Sequence, residues 1–212
     1  MRFHQPLDTA LNSATKIRLL RFFCLKGGAW NGRRIAAHLN INPVTAHKAL
    51  RELHQATVLD FQRVGNNFVY SLRGSHYLVR NLLRPLFEQE SGARNRLLEL
   101  FKECVPSGDR KQVVSLAIYG SVARGEERPR SDLDLLVLVE SEQTKRRIRQ
   151  ALDRFSDRAF EEFGNFPSPY VNTLAEARRK IQRGLPVFQD ILKDGQLIWG
   201  KPLKEILRDK AI

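Results

Sequence analysis

The residues best equipped to do chemistry lie in one stretch, IYGSVARGEERPRSDLDLLVLV, residues 118–139, where a Gly-Ser pair and two aspartates separated by one leucine stand between apolar runs. In an extended strand side chains alternate faces, so Asp132 and Asp134 project the same way with Cα atoms roughly 6.5 Å apart. Two neighbouring carboxylates repel and resist desolvation unless a cation lies between them. Mg2+, or Mn2+ in its place, suits such hard oxygen donors and keeps waters and phosphate oxygens in its shell. Gly120 permits a tight turn and a close backbone approach, and Ser121 is expected to cap the short helix that follows with hydroxyl and amide turned toward an anion.

Two strands must carry these groups. QVVSLAIYG is a mostly apolar run of the kind buried on both faces, and DLDLLVLVE places Leu136 and Leu138 on the aspartate face, with Leu133, Leu135, Val137 and Val139 opposite. A helix over SEQTKRRIRQALDRFSDRAFEEFG, a strand NFPSPYVNTL and a helix AEARRKIQRG follow. PVFQDILKDGQLIWG then reads as a short helix, a glycine turn and a last strand, with Trp199 in the core.

Gly120-Ser121, Arg124-Gly125, Ser131 and Asp132-Leu133-Asp134 together resemble the signature of the DNA polymerase β-type nucleotidyltransferase superfamily, in particular its minimal members, over about residues 108–200. The resemblance implies a mixed sheet flanked by helices, a divalent metal on Asp132 and Asp134 as the catalytic pair, and nucleoside triphosphate contacts from Gly120, Ser121, Arg124, Gly125 and Ser131. It implies in-line attack of an acceptor hydroxyl on the α-phosphate with loss of pyrophosphate, the acceptor in some relatives being a protein. Members of that superfamily usually add a third carboxylate from a later strand. NFPSPYVNTL holds no Asp or Glu; Tyr170 falls where that acid is expected, with Ser168 or Asn172 the choices if the register slips by two. The site is therefore expected either to transfer a nucleotidyl group or, in degenerate form, to sense nucleotide.

The first third of the chain has a different character. The chain carries a net charge of +13, and residues 1–75 hold 11 Lys/Arg against 3 Asp/Glu, a balance that attracts polyanions. A helix from Asp8 to about Lys26, a short helix over Gly32–Leu39 and a third helix begun by Asn42-Pro43 precede a hairpin with halves at 58–64 and 68–72. On the third helix Ala46, Ala49, Leu50 and Leu53 share one side, while Val44, Lys48, Arg51 and Gln55 lie opposite, flanked by Thr45 and His47. Residues 8–73 resemble winged helix-turn-helix domains of transcription regulators, which implies contact with double-stranded DNA, often as a homodimer. Thr45, His47, Lys48, Arg51 and Gln55 on the helix, with Arg63, Asn66 and Asn67 on the hairpin, are the expected DNA-binding residues.

The fold class expected is α+β, with a winged helix at 1–75, a helical linker at 76–107 and a nucleotidyltransferase-like domain at 108–212. Cys24 and Cys104 have no partner at ligand spacing and read as reduced core thiols. No apolar run is of spanning length and the N-terminus has no signal-peptide core, so a cytoplasmic protein without a membrane partner is expected. A small-molecule nucleotidyltransferase is a rival reading; it requires an acidic pocket for a cationic acceptor, against which the +5 balance of residues 76–212 argues.

Overall fold

The computed structural model describes residues 3–65 and 67–208, which divide into two compact units, Met1–Gly92 and Ala93–Ile212. The architecture is mixed α+β. Among the described residues no helix is long and apolar enough to cross a membrane.

In the first unit the helix expected from Asp8 to Lys26 is broken into α1 (Pro6–Ala10) and α2 (Ala14–Lys26), because the Ser13 hydroxyl accepts from the Lys16 amide and starts a new helix. Strand β1 (Ala29–Asn31), α3 (Gly32–His38) and α4 (Pro43–Gln55) follow. Asn42 caps α4 through its side chain, which accepts from the amides of Val44 and Thr45 at 2.9 and 3.4 Å. The hairpin is β2 (Leu59–Val64) against β3 (Asn67–Leu72), and β1 adds to the far edge of β3 in a three-stranded antiparallel sheet. Leu20, Phe23, Ile35, Leu50, Leu53 and Tyr70 fill the core.

The stretch 76–107, expected as a helical linker, is shared between the units instead. A π-helical turn (Val79–Leu83) and α5 (Arg84–Ser91) bury Val79, Leu83 and Phe87 in the first core. Helix α6 (Ala93–Cys104) buries Leu97, Leu100, Phe101 and Cys104 in the second. Each segment carries its own apolar stripe, and burying that stripe outweighs whatever a free tether would gain in chain entropy.

In the second unit α7 (Ser107–Arg110) leads to β4 (Val113–Ile118), α8 (Gly120–Arg124), β5 (Leu133–Val139), α9 (Glu142–Phe163), β6 (Pro167–Thr173), α10 (Leu174–Gln182), α11 (Pro186–Asp194), β7 (Gln196–Gly200) and α12 (Leu203–Arg208). The sheet order is β6-β5-β4-β7; β5 and β6 run parallel and the other pairs antiparallel, so the sheet is mixed. Leu133, Leu135, Val137 and Val139 face a core that includes α6 and α9, while Leu136 and Leu138 face a second core with Ala177, Phe188 and Ile191 from α10 and α11. Trp199 packs partly buried, edge-on to Phe101 at 6.1 Å. Pro167 and Pro169 are tolerated because β6 is an edge strand.

Candidate nucleotide and metal site

Strands β4 and β5 converge at the Gly-Ser turn. The Tyr119 amide donates to the Asp134 carbonyl at 3.0 Å, the last rung before the chain turns into α8. Gly120 has φ +72, a conformation that L side chains rarely adopt, and a Cβ built on it would overlap the Asp134 Oδ2 oxygen. Glycine is therefore required twice over, by backbone conformation and by the carboxylate lying against it. Gly125 at φ +68 ends α8 in the left-handed conformation. Ser121 lies inside α8, whose N-cap is Tyr119 and which has no side-chain cap, so its hydroxyl does not perform the capping expected of it. The hydroxyl of Ser131 accepts from the Arg128 amide at 2.9 Å, and its carbonyl accepts from Asn165 Nδ2 at 2.8 Å. Ser131 thus shapes the turn that delivers the aspartates.

Asp134 is half-buried on the second residue of β5 and Asp132 is exposed just before it. Burial, reinforced by the Asp132 charge, raises the Asp134 pKa, while Arg124 pulls it down. That is the direction in which burial and a like-charged neighbour move a carboxylate. Arg124 is engaged locally: its Nε donates to Glu126 at 2.7 Å, and Asp190 and Asp194 on α11 also act on its charge.

The register of β6 decides what stands beside the aspartates. Ser168 pairs with Asp134, Tyr170 with Leu136 and Asn172 with Leu138. The position next to Asp134 thus belongs to Ser168, one pair closer than Tyr170, and none of the three is acidic. Lys180 on α10, which the sequence reading did not single out, donates to the Tyr170 hydroxyl at 2.8 Å and to Asn172 Oδ1 at 2.5 Å, with its ammonium 4.7 Å from the Tyr170 ring centre. Tyr119, also passed over, lies within electrostatic reach of both Asp134 and Tyr170; burial is the main cause that pushes its hydroxyl up to about 12. Lys180 is one of three cations on α10, beside Arg178 and Arg179, and packing decides that it is the one to reach Tyr170.

Among the described residues no group of three or more His, Cys, Asp or Glu side chains gathers to hold a metal ion. The donors for one are Asp132 and Asp134, and the notch left by the missing Gly120 side chain is lined by the latter. Two carboxylates beside an open notch fit an ion such as Mg2+ that keeps most of its waters and shares phosphate oxygens. They do not make a closed protein cage.

On α4 the side chains of Val44, Thr45, His47, Lys48, Arg51 and Gln55 are exposed, and Ala46, Ala49, Leu50 and Leu53 are buried. Arg63 is exposed on β2 and its Nε donates to the Gly65 carbonyl at 3.1 Å. Asn67 begins β3, while Asn66 lies outside the described residues.

Residues 95–191 match the family described as "Nucleotidyltransferase domain". No curated protein matches the chain. Among solved structures, one described as a toxin-antitoxin with AMP-PNP is 14% identical, covers 54% of this chain and 81% of its own, and has a TM-score of 0.36. A fragment of a possible transcriptional regulatory protein from Mycobacterium bovis is 20% identical over 42% of this chain and 88% of its own, TM-score 0.31. The ZitR protein of Lactococcus lactis is 18% identical over 49% of this chain and 80% of its own, TM-score 0.30.

Proposed function

We propose that the second unit binds a nucleoside triphosphate with Mg2+ or Mn2+ at Gly120-Ser121 and Asp132/Asp134, and that the first docks on double-stranded DNA through α4 and the β2–β3 hairpin. The observation that carries the first half is the pairing of Gly120 and Asp134, a side-chain-free turn held against a carboxylate whose pKa burial has raised. A divalent ion on these acids supplies charge neutralisation for the phosphates. The chain's own residues do the rest: the Gly-Ser turn admits the phosphates closely, Arg124 adds positive charge, and Asp132 and Asp134 aim the ion. In the transfer itself an acceptor hydroxyl oxygen bonds to the α-phosphorus, the bond from that phosphorus to the α–β bridging oxygen breaks, pyrophosphate leaves with that oxygen, and the hydroxyl proton passes to solvent. With Ser168 beside Asp134, β6 offers no third carboxylate to take that proton, and loss of a general base costs about 10²–10⁴ in rate.

That neutral neighbour favours a second reading, in which the site holds nucleotide without turning it over and the chain's grip on DNA responds to it. The test is incubation of the chain with each α-labelled nucleoside triphosphate and Mn2+, beside the Asp132→Ala/Asp134→Ala variant. Label on protein or added acceptor with wild type alone establishes transfer. Nucleotide binding without label, together with a DNA mobility shift that moves when nucleotide is added, selects the sensor. Absence of nucleotide binding removes both.

The support for DNA is the opposition of faces on α4, with an exposed row of Thr45, His47, Lys48, Arg51 and Gln55 over a buried apolar row, next to the exposed Arg63.

A further inference from the structure

The hairpin of the first unit carries its core face out past the core. Antiparallel pairing sets Leu59 opposite Leu72, Phe61 opposite Tyr70 and Arg63 opposite Phe68, so these six side chains share one face. Leu59 and Tyr70 are buried, yet Phe61 is 38% exposed and Phe68 47% exposed. The rings form a ladder: Tyr70 to Phe61 at 5.1 Å between centroids, then Phe61 to Phe68 at 5.2 Å with their planes only 26° apart. His54 of α4 flanks the ladder, 5.4 Å from Phe61.

Phe68 and Tyr70 form one wall of a cleft of about 500 Å³ whose other walls include Arg33, Val44 and His47. Phe68, about half exposed near the hairpin turn with Phe61 stacked behind it, forgoes apolar burial it could have had, so the surface asks for a partner. Charge narrows the choice. Arg33 and His47 in the lining are exposed, Arg63 is exposed and pairs with Phe68 across the hairpin, and no acidic side chain is among the described residues of the lining. The occupant is therefore polyanionic with a flat apolar face. A paired duplex buries both faces of every base in its stack and offers only edges, which Lys, Arg and Gln read. An aromatic shelf gains stacking only from a base that has left the stack.

We propose that this cleft receives an unpaired nucleobase, stacked on Phe68, with the adjoining phosphates held by Arg33 and Arg63. The inference rests on the reading of the first unit as a nucleic-acid binder and extends it: the preferred substrate is a duplex with an extruded base, or a single strand, over a perfectly paired duplex.

The experiment compares, by fluorescence anisotropy with the full chain, a labelled duplex, the same duplex with one bulged thymine, and the single strand. The expected result is a bulged duplex bound about tenfold more tightly than the paired one, the scale of one base–aromatic stacking contact. Phe68→Ala should erase that advantage, so that bulged and paired duplexes bind alike, and Phe68→Trp should keep it; circular dichroism and thermal melting verify that both variants fold. Equal affinity for paired and bulged duplexes in wild type overturns the proposal, as does an advantage that survives Phe68→Ala. If Phe68→Ala instead turns a dimer into a monomer by light scattering with the bulge preference intact, the shelf is a protein interface and the proposal also falls. Binding to none of the three oligonucleotides removes the underlying nucleic-acid reading itself, whereas binding to the paired duplex without preference removes only this extension.

Discussion

The α-carbon of Gly120 lies against the carboxylate of Asp134, so that a Cβ built on it would overlap Oδ2 and stand 3.1 Å from Cγ. The turn and the acid are thus fitted to each other. Gly120→Ala must move the carboxylate and force a left-handed residue to carry a side chain, at about 1–3 kcal/mol. It should lower the melting temperature and weaken Mn2+–ATP binding at least tenfold (~1.4 kcal/mol) by calorimetry. Unchanged binding would mean that the notch does not receive phosphates.

Ser168 stands beside Asp134 in the parallel register, and it is exposed. Replacing it by aspartate places a third carboxylate next to the pair without burying it. Ser168→Asp should raise the rate of nucleotidyl transfer, measured with α-labelled nucleotide, by a part of the about 10²–10⁴ that a general base contributes. The same change at Tyr170 should help less, because Tyr170 pairs one step along with Leu136 and its hydroxyl is held by Lys180.

Glu176 completes a capping box with Thr173 at the start of α10 and accepts from Lys145 of α9 at 2.6 Å. Burial works to raise its pKa, but the Lys145 ammonium and the Thr173 amide outweigh it, and the carboxylate lies below its ordinary 4.5. A depressed folded pKa contributes stability above the unfolded value and loses it as pH falls through the folded one. Glu176→Gln, which keeps the box but not the charge, should cost about 1–3 kcal/mol at pH 7, because it leaves the largely buried Lys145 only the more distant, exposed carboxylate of Glu142 at 3.6 Å. In melting curves that difference should shrink once the pH drops below 4.5 and onward through the lowered pKa. A difference constant with pH would assign the effect to shape alone.

Lys48 and Arg51 are exposed on the face of α4 opposite Leu50 and Leu53. If both reach phosphate, Lys48→Ala and Arg51→Ala should each reduce the slope of log affinity against log salt by about 1 and weaken all duplexes alike. If Arg51 reads a guanine edge, its loss should cost about 1–3 kcal/mol at one sequence and little elsewhere. Titrations at several salt concentrations separate the two.

Local patterns carried much of the second unit. The two-residue alternation of DLDLLVLV already assigns Asp134 to the face of Leu136 and Leu138, and the β5 core contacts follow that assignment residue for residue. The same holds for α4, where a 3.6-residue period separates the buried alanines and leucines from the exposed cations. Gly120 could be marked as special from its place between a strand and a helix, but its contact with Asp134 needed two strands set in register.

Tertiary structure decided what no local period encodes. Amphipathic segments announce a buried stripe without naming the core that buries it, which is why Leu83 and Phe87 go to one unit and Leu97 and Phe101 to the other across a stretch that reads as a single linker. Strand register is likewise a long-range choice: sliding β6 by two residues keeps every side chain on its face, so alternation alone admits Ser168, Tyr170 or Asn172 beside the acid, and pairing with β5 selects Ser168. Lys180 is one cation among several on α10 until the helix packs and delivers it to Tyr170. Sequence determined which chemical groups exist and which face each occupies; packing over long chain separations determined which of them meet.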